Sequence, residues 1–153
     1  MERRDFLKGA AAAAVVFNAG NALAHEYGKE AKPAAEQDKI NKVVDKENPT
    51  ALEQKHVPSI QAPSKVKADQ WVDIEVKVGF KAEHPSTADH WITTIKLLAD
   101  GKEVARIENA MGGLTSSSAL FTIKLSKSVT LEAVEHCNLH GTWMSEPEKI
   151  EVA

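Results

Sequence analysis

Apolar and polar residues alternate from Trp71 onward, and this alternation predicts a β-strand. The apolar positions are Val72, Ile74, Val76 and Val78, and the residues between them are Trp71, Asp73, Glu75 and Lys77. A period of two places the apolar side chains on one face, as in a half-buried strand. Further short apolar runs predict strands at residues 91–98, 104–107, 119–125, 129–134 and 150–152. Asp100-Gly101, between the first two of these, is typical of a hairpin turn. Together these signals predict an all-β chain folded as an antiparallel β-sandwich.

The segment of residues 25–50 has a different texture. It is rich in Lys, Glu, Ala, Asp and Asn, has weak periodicity and contains Pro33 and Pro49. This composition predicts a flexible, charged linker. We therefore expect one folded domain, residues 51–153.

Residues 1–24 have the order of an export signal. Arg3-Arg4 and Lys8 precede an Ala-rich apolar run, which ends at Ala22-Leu23-Ala24. The start resembles a twin-arginine signal, and the small residues predict cleavage after Ala24. The apolar run is shorter than the roughly 20 residues of a membrane-spanning helix. We expect a periplasmic protein with no stable membrane insertion after cleavage.

The charge and the cysteine content narrow the functional classes. The formal net charge is −3, without the broad basic field that nucleic-acid binding needs, so no nucleic-acid partner is expected. Cys137 is the only cysteine, which excludes an intrachain disulfide.

Three short segments concentrate the nitrogen and sulfur donors of the chain. They are Lys55-His56-Val57-Pro58, the span from His84-Pro85 to His90, and Cys137-Asn138-Leu139-His140-Gly141. All three are predicted in or beside loops, and loops at one end of a sandwich can converge. Four imidazoles and a thiolate, with no evident carboxylate, suit a redox transition metal better than calcium or magnesium. Five donors also exceed the four that zinc usually takes.

In order and spacing, these motifs resemble the superoxide reductases of the desulfoferrodoxin and neelaredoxin family. The resemblance extends from His56 to the C-terminus and implies an immunoglobulin-like sandwich with one mononuclear non-haem iron per chain. By motif position it implies four equatorial ligands, an axial Cys137 and an open sixth position, the equatorial set being His56, His84, His90 and His140. It also implies one-electron reduction of superoxide to hydrogen peroxide, an external electron-donor protein, and a homo-oligomer such as the dimers and tetramers common in the family.

Several residues beside the expected ligands have other expected roles. Lys55 matches the family lysine that draws superoxide inward and assists protonation. Many members have Glu two residues before the first histidine, where it can bind ferric iron, whereas this chain has Gln54. Glu53 would project differently along an extended chain, so water or hydroxide is expected at that position. His136 matches no ligand, and Trp143 is expected to pack near the site. The chain lacks the four-cysteine iron domain of two-centre members.

Other interpretations of the same residues use fewer of them. A blue-copper electron-transfer protein would use Cys137, His140 and Met144 with one upstream histidine. That hypothesis leaves His56 and the span from His84 to His90 without a role. Copper bound at His25 after cleavage, or a purely structural sandwich, would likewise leave the three motifs unexplained.

Overall fold

The computed structural model describes residues 39–153, and these residues form two sheets with one short helix. The elements in chain order are β1 (Ile40–Asn41), α1 (Ala51–His56), β2 (Pro58–Gln61), β3 (Lys65–Val66), β4 (Trp71–Val78), β5 (Ile92–Ala99), β6 (Lys102–Glu108), β7 (Ser118–Lys124), β8 (Val129–Cys137), β9 (Gly141–Met144) and β10 (Glu148–Val152). The predicted all-β sandwich is confirmed.

Strand β8 is the centre of the larger, seven-stranded sheet. On one edge it pairs antiparallel with β5 along most of its length. On the other edge it pairs antiparallel first with β10 and then with β9. Strand β6 extends the sheet beyond β5, while β1 and β3 add short parallel pairings to β9 and β10. The smaller sheet has the order β2-β4-β7.

The two sheets enclose the core through alternating side chains. Every second residue of β8, from Val129 to Cys137, is buried, and the residues between them are only partly buried. Strand β4 contributes Ile74, Val76 and Val78 from the opposite sheet. This pattern is the period of two that the sequence predicts for β4. Burial of these apolar faces supplies the main driving force for the sandwich.

The hairpin between β5 and β6 confirms the turn prediction. Asp100 and Gly101 have φ angles of 50° and 75°, as a two-residue turn of the tight hairpin class requires. Asp100 also accepts a hydrogen bond from the backbone N–H of Thr130, so the turn is fixed to β8. Several elements differ from expectation: β8 extends three residues beyond the predicted strand, and the helix α1 and the short strands β1, β2, β3 and β9 were not predicted.

The N-terminal predictions fall largely outside the described residues. The export signal and residues 25–38 of the linker are in that part of the chain. Within the rest of the linker, residues 39–50, Ile40–Asn41 join the edge of the larger sheet. No helix among residues 39–153 is long and apolar enough to cross a membrane.

Glu135 lies in the core face of β8 between Ala133 and Cys137. It is 1% exposed, and neither carboxylate oxygen has a hydrogen-bond partner among the described residues. Its cross-strand neighbours are Ile95 on β5 and Trp143 on β9. Burial raises the pKa of the Glu135 carboxyl from 4.5 to about 9, so the acid is neutral at pH 7.

We predict that Glu135→Gln stabilises the metal-free protein increasingly as pH rises from about 5 to 8. Between pH 4.5 and about 9 the folded state keeps a proton that the unfolded state releases, so wild-type stability falls with rising pH. The slope approaches about 1.4 kcal/mol per pH unit for one proton. Urea denaturation of both proteins at pH 5 and pH 8 measures the difference. An equal difference at the two pH values would contradict a neutral Glu135.

Candidate metal centre

Three parts of the fold bring histidine and cysteine side chains to one point. His56 is the last residue of α1, and His90 lies near the end of the loop before β5. Cys137 is the last residue of β8, and His140 lies in the turn from β8 to β9. One ligand atom from each of these four residues lies within 4.8 Å of the other three. We call His56, His90, Cys137 and His140 the four-residue cluster.

His140 is the shared neighbour within the four-residue cluster. Its Nδ1 is 3.0 Å from His56 Nε2 and 3.2 Å from His90 Nε2. The same atom is 3.6 Å from the Cys137 sulfur. These donor atoms are therefore gathered around one point, at separations that suit the ligands of a single cation.

His84 lies beside the four-residue cluster. Its ring centroid is 4.7 Å from that of His56 and 4.5 Å from that of His90. The residue is 2% exposed, and its Nε2 has no hydrogen-bond partner among residues 39–153. A buried, unpartnered nitrogen is costly unless it binds something, and a metal ion at the neighbouring cluster would supply that partner.

Contacts on the far side of two rings fix which nitrogen faces inward. His56 Nδ1 donates to the Leu52 carbonyl at 2.8 Å, which leaves Nε2 as the free lone pair. The Ser117 hydroxyl is 3.5 Å from His84 Nδ1, so Nε2 is the His84 ring nitrogen left without a partner among the described residues. Outer contacts of this kind orient metal-binding histidines and set their tautomer.

Trp143 packs against the cluster, as the sequence analysis expected. Its ring stacks on His56 with centroids 5.2 Å apart, and its Nε1–H donates to the His140 carbonyl at 3.2 Å. The indole therefore holds one histidine ring and the backbone of another.

Asn138 joins two of the histidine-bearing loops. Its side-chain oxygen accepts from the Trp91 backbone N–H at 2.9 Å, and its side-chain NH₂ donates to the Asp89 carbonyl at 2.8 Å. Its own backbone N–H donates to the Trp91 carbonyl at 3.2 Å. These three bonds fix His90 relative to Cys137 and His140. No role was predicted for Asn138 from the sequence, where the only signal was its place between Cys137 and His140.

The electrostatics of the centre favour neutral imidazoles. Burial, and then the neighbouring histidines, lower the pKa values of His56 and His84 from 6.5 to about 4. Burial raises the pKa of the Cys137 thiol, although the backbone N–H groups of Leu139 and His140 act in the opposite direction. Neutral imidazoles bind metals without first losing a proton, and a bound cation would stabilise the Cys137 thiolate.

The donor types of this site fit a nitrogen- and sulfur-binding transition metal. Among the described residues, the cluster contains imidazole and thiol groups and no carboxylate. Imidazole is a good ligand for iron, copper and zinc, and thiolate adds electron donation. The residues present therefore fit a mononuclear iron.

Glu53 and Gln54 both make hydrogen bonds away from the cluster. The Glu53 carboxylate accepts from the backbone N–H groups of Val44 and Thr50 at 2.8 and 2.6 Å. The Gln54 side chain donates to the Pro49 carbonyl at 2.9 Å. The expectation of an extended chain here was wrong because residues 51–56 form α1. The expectation that Glu53 does not reach the metal still agrees with the geometry, since its carboxylate bonds to the backbone of Val44 and Thr50.

Lys55 is exposed and lies next to His56 at the end of α1. Burial is the main cause of the lowered pKa values of His56 and His90, and the positive charge of Lys55 adds a smaller contribution in the same direction.

Strand register argues against the blue-copper hypothesis. Cys137 pairs with Gly141, whereas Met144 pairs with Val134, three positions before Cys137 in β8. Successive side chains of a strand point to opposite faces, so Met144 shares a face with Val134 and not with Cys137.

His136 also lies on the face of β8 opposite to Cys137, between two buried positions, and its Nδ1 is 2.9 Å from the Thr142 hydroxyl.

Known proteins with this sequence pattern and fold are superoxide reductases and neelaredoxins. Residues 48–146 match the Desulfoferrodoxin family. A superoxide reductase of Pyrococcus horikoshii is 37% identical over 101 residues, covering 61% of this chain and 85% of the relative. A neelaredoxin of Megalodesulfovibrio gigas is 29% identical over 110 residues, covering 60% and 84%.

The solved structure of a superoxide reductase (neelaredoxin) from Ignicoccus hospitalis has a TM-score of 0.64 and 34% identity to this chain. The structural alignment covers 80% of this chain and 100% of the Ignicoccus hospitalis chain. The family match includes well over half of the sequence and all residues of the four-residue cluster. The chain therefore belongs to the Desulfoferrodoxin family.

Proposed function

We propose that this protein is a superoxide reductase, which reduces superoxide by one electron to hydrogen peroxide at a single non-haem iron. The observation that carries the proposal is the convergence of His56 Nε2, His90 Nε2, His140 Nδ1 and Cys137 Sγ on one point. Relatives that are superoxide reductases support the same activity.

The proposed iron ligands are four imidazoles and one thiolate. The atoms are Nε2 of His56, His84 and His90, Nδ1 of His140, and Sγ of Cys137. The unpartnered His84 Nε2 supports adding this residue to the four-residue cluster. Bound there, ferrous iron would supply the electron and a positive charge that attracts the superoxide anion.

The protein residues keep the donors neutral, aligned and partly accessible. Burial holds His56 and His84 as neutral imidazoles at pH 7. His90 and His140 are only partly buried, so the centre lies at the protein surface where a small anion can enter. We propose that Lys55 raises the local concentration of superoxide there and helps to deliver protons. Such local attraction operates although the chain carries a formal charge of −3.

The reaction consumes one electron and two protons for each superoxide, so solvent must supply protons and an external electron donor must restore the reduced state. We also propose that residues 1–24 direct export by the twin-arginine route, so that the protein acts in the periplasm. The Arg3-Arg4 pair, the apolar run and Ala22-Leu23-Ala24 support this location.

We predict that the purified protein contains one iron per chain and shows a visible thiolate-to-ferric band. Reduction should bleach the band, and one equivalent of superoxide should restore it. His84→Ala should reduce the iron content or shift the band because the centre loses an imidazole. His136→Gln, a change on the outer face of β8, should leave both unchanged. Bound copper with an intense blue band that His84→Ala does not alter would contradict the proposal.

We predict that Lys55→Met lowers the second-order rate constant for superoxide about 10-fold at low ionic strength, with unchanged iron content. The ammonium attracts the anion through solvent, so added salt should reduce the difference between variant and wild type. Pulse radiolysis at several salt concentrations measures both effects. Lys102→Met, at the distant β5–β6 turn, is the matched control. Equal salt dependence in wild type and Lys55→Met would show that Lys55 does not steer superoxide.

A further inference from the structure

The carboxylate of Glu53 joins α1 to the segment that precedes it. We call residues 44–50 the strap. Oε1 of Glu53 accepts from the Val44 N–H at the start of the strap, and Oε2 accepts from the Thr50 N–H at its end. Glu53 is only 6% exposed, so water competes little for these bonds.

Helix α1 depends on such contacts because it is short. It has six residues, far fewer than the roughly 12–15 that an isolated helix needs for marginal stability. The Thr50 side chain accepts from the Glu53 N–H, and the Glu53 carboxylate accepts from the Thr50 N–H. These two reciprocal bonds form a capping box. At the other end, the Glu53 carbonyl accepts from the Val57 N–H. One residue thus contributes to both ends of the helix.

Two contacts of the strap with other parts of the fold lie at the surface. Lys46 pairs with Glu146 at 2.6 Å, with side chains 62% and 50% exposed. The Lys81 ammonium donates to the Lys46 carbonyl at 3.4 Å, also at the surface. Exposed ion pairs contribute little to stability. Between strap and helix, the Glu53 carboxylate makes two bonds, to Val44 and Thr50, and the Gln54 side chain adds one, to the Pro49 carbonyl at 2.9 Å. Only the Glu53 carboxylate reaches both ends of the strap, so it is the main connection.

The position of α1 determines the position of two histidines. His56 is its last residue, and its Nδ1 is held by the helical Leu52 carbonyl. The Gln54 carbonyl accepts from the N–H groups of Lys81 and Ala82, at the start of the loop that contains His84. A shift of α1 would therefore move His56 directly and the His84 loop through these bonds.

We infer that Glu53 is a positioning residue of the metal centre, because its carboxylate fixes the strap to α1 and so places His56, Lys55 and the His84 loop. The inference rests on the proposed function only in taking the cluster as the metal site. Both carboxylate oxygens are engaged by the strap, so Glu53 acts through α1 and not as a ligand.

The test uses cobalt(II) as a probe of the full-length protein, with Glu53→Gln as the variant. Glutamine has the same length but replaces one acceptor oxygen with a donor NH₂, which must face a strap N–H. We expect cobalt(II) affinity to fall about 10-fold, the usual scale for a lost outer contact. We also expect the visible d–d bands of bound cobalt to shift, which a general loss of stability would not cause.

Glu47→Gln is the matched control, since it removes the same charge from an exposed position of the strap. It should leave cobalt affinity and spectrum unchanged. An unchanged affinity and spectrum in Glu53→Gln would overturn the inference.

A measurement on the wild-type protein tests the inference even if the variant does not fold. The amides of Val44 and Thr50 should exchange slowly with deuterium because the buried carboxylate accepts from both. Exchange of both at the rate of unprotected amides would overturn it. Neither cobalt binding nor amide exchange requires superoxide, so failure of the proposed reaction and failure of this inference are distinguishable.

Discussion

The backbone ladder of β8 is the constraint on which the site depends. The strand pairs on both edges and ends at Cys137, so its hydrogen bonds fix the position of the sulfur. The pairing of Cys137 with Gly141 closes the turn that directs His140 back toward the sulfur. Pairing of Cys137 with Ile92 brings in the end of the loop that contains His90. The backbone hydrogen bonds of the ladder therefore fix where the main chain of Cys137, His140 and His90 lies, without any side-chain contact.

Burial at this end of the sandwich has opposite consequences for different groups. It keeps His56 and His84 neutral, which prepares them to bind a cation. It also keeps the Cys137 thiol and the Glu135 carboxyl protonated. A cation at the cluster would reverse the effect on the thiol, since its positive charge stabilises the thiolate. The centre is thus a low-dielectric site whose charge state is set by what occupies it.

The sequence predicted those features that have local signatures. Alternation predicted β4, and the Asp100-Gly101 pair predicted the β5–β6 hairpin because a turn with positive φ angles favours such residues. Motif spacing predicted which residues meet at the centre, although the ligand set itself stays a prediction. Helix α1 was missed because six residues show no helical period. Its signal was Thr50-x-x-Glu53, the spacing of a capping box. The Asn138 bonds could not be predicted, since they join loops that are distant in sequence.

The histidines of the cluster are widely separated along the chain, and this affects how the protein assembles. His56 and His140 lie 84 positions apart yet have ring nitrogens 3.0 Å from each other. Closing so long a loop costs conformational entropy that only the paired strands repay. In an unfolded chain, the proposed ligands are near neighbours only as two pairs, Cys137 with His140 and His84 with His90, and two donors hold a metal weakly. The complete set of donors therefore exists only after the sheets have formed, so tight metal binding requires a polypeptide that has already folded.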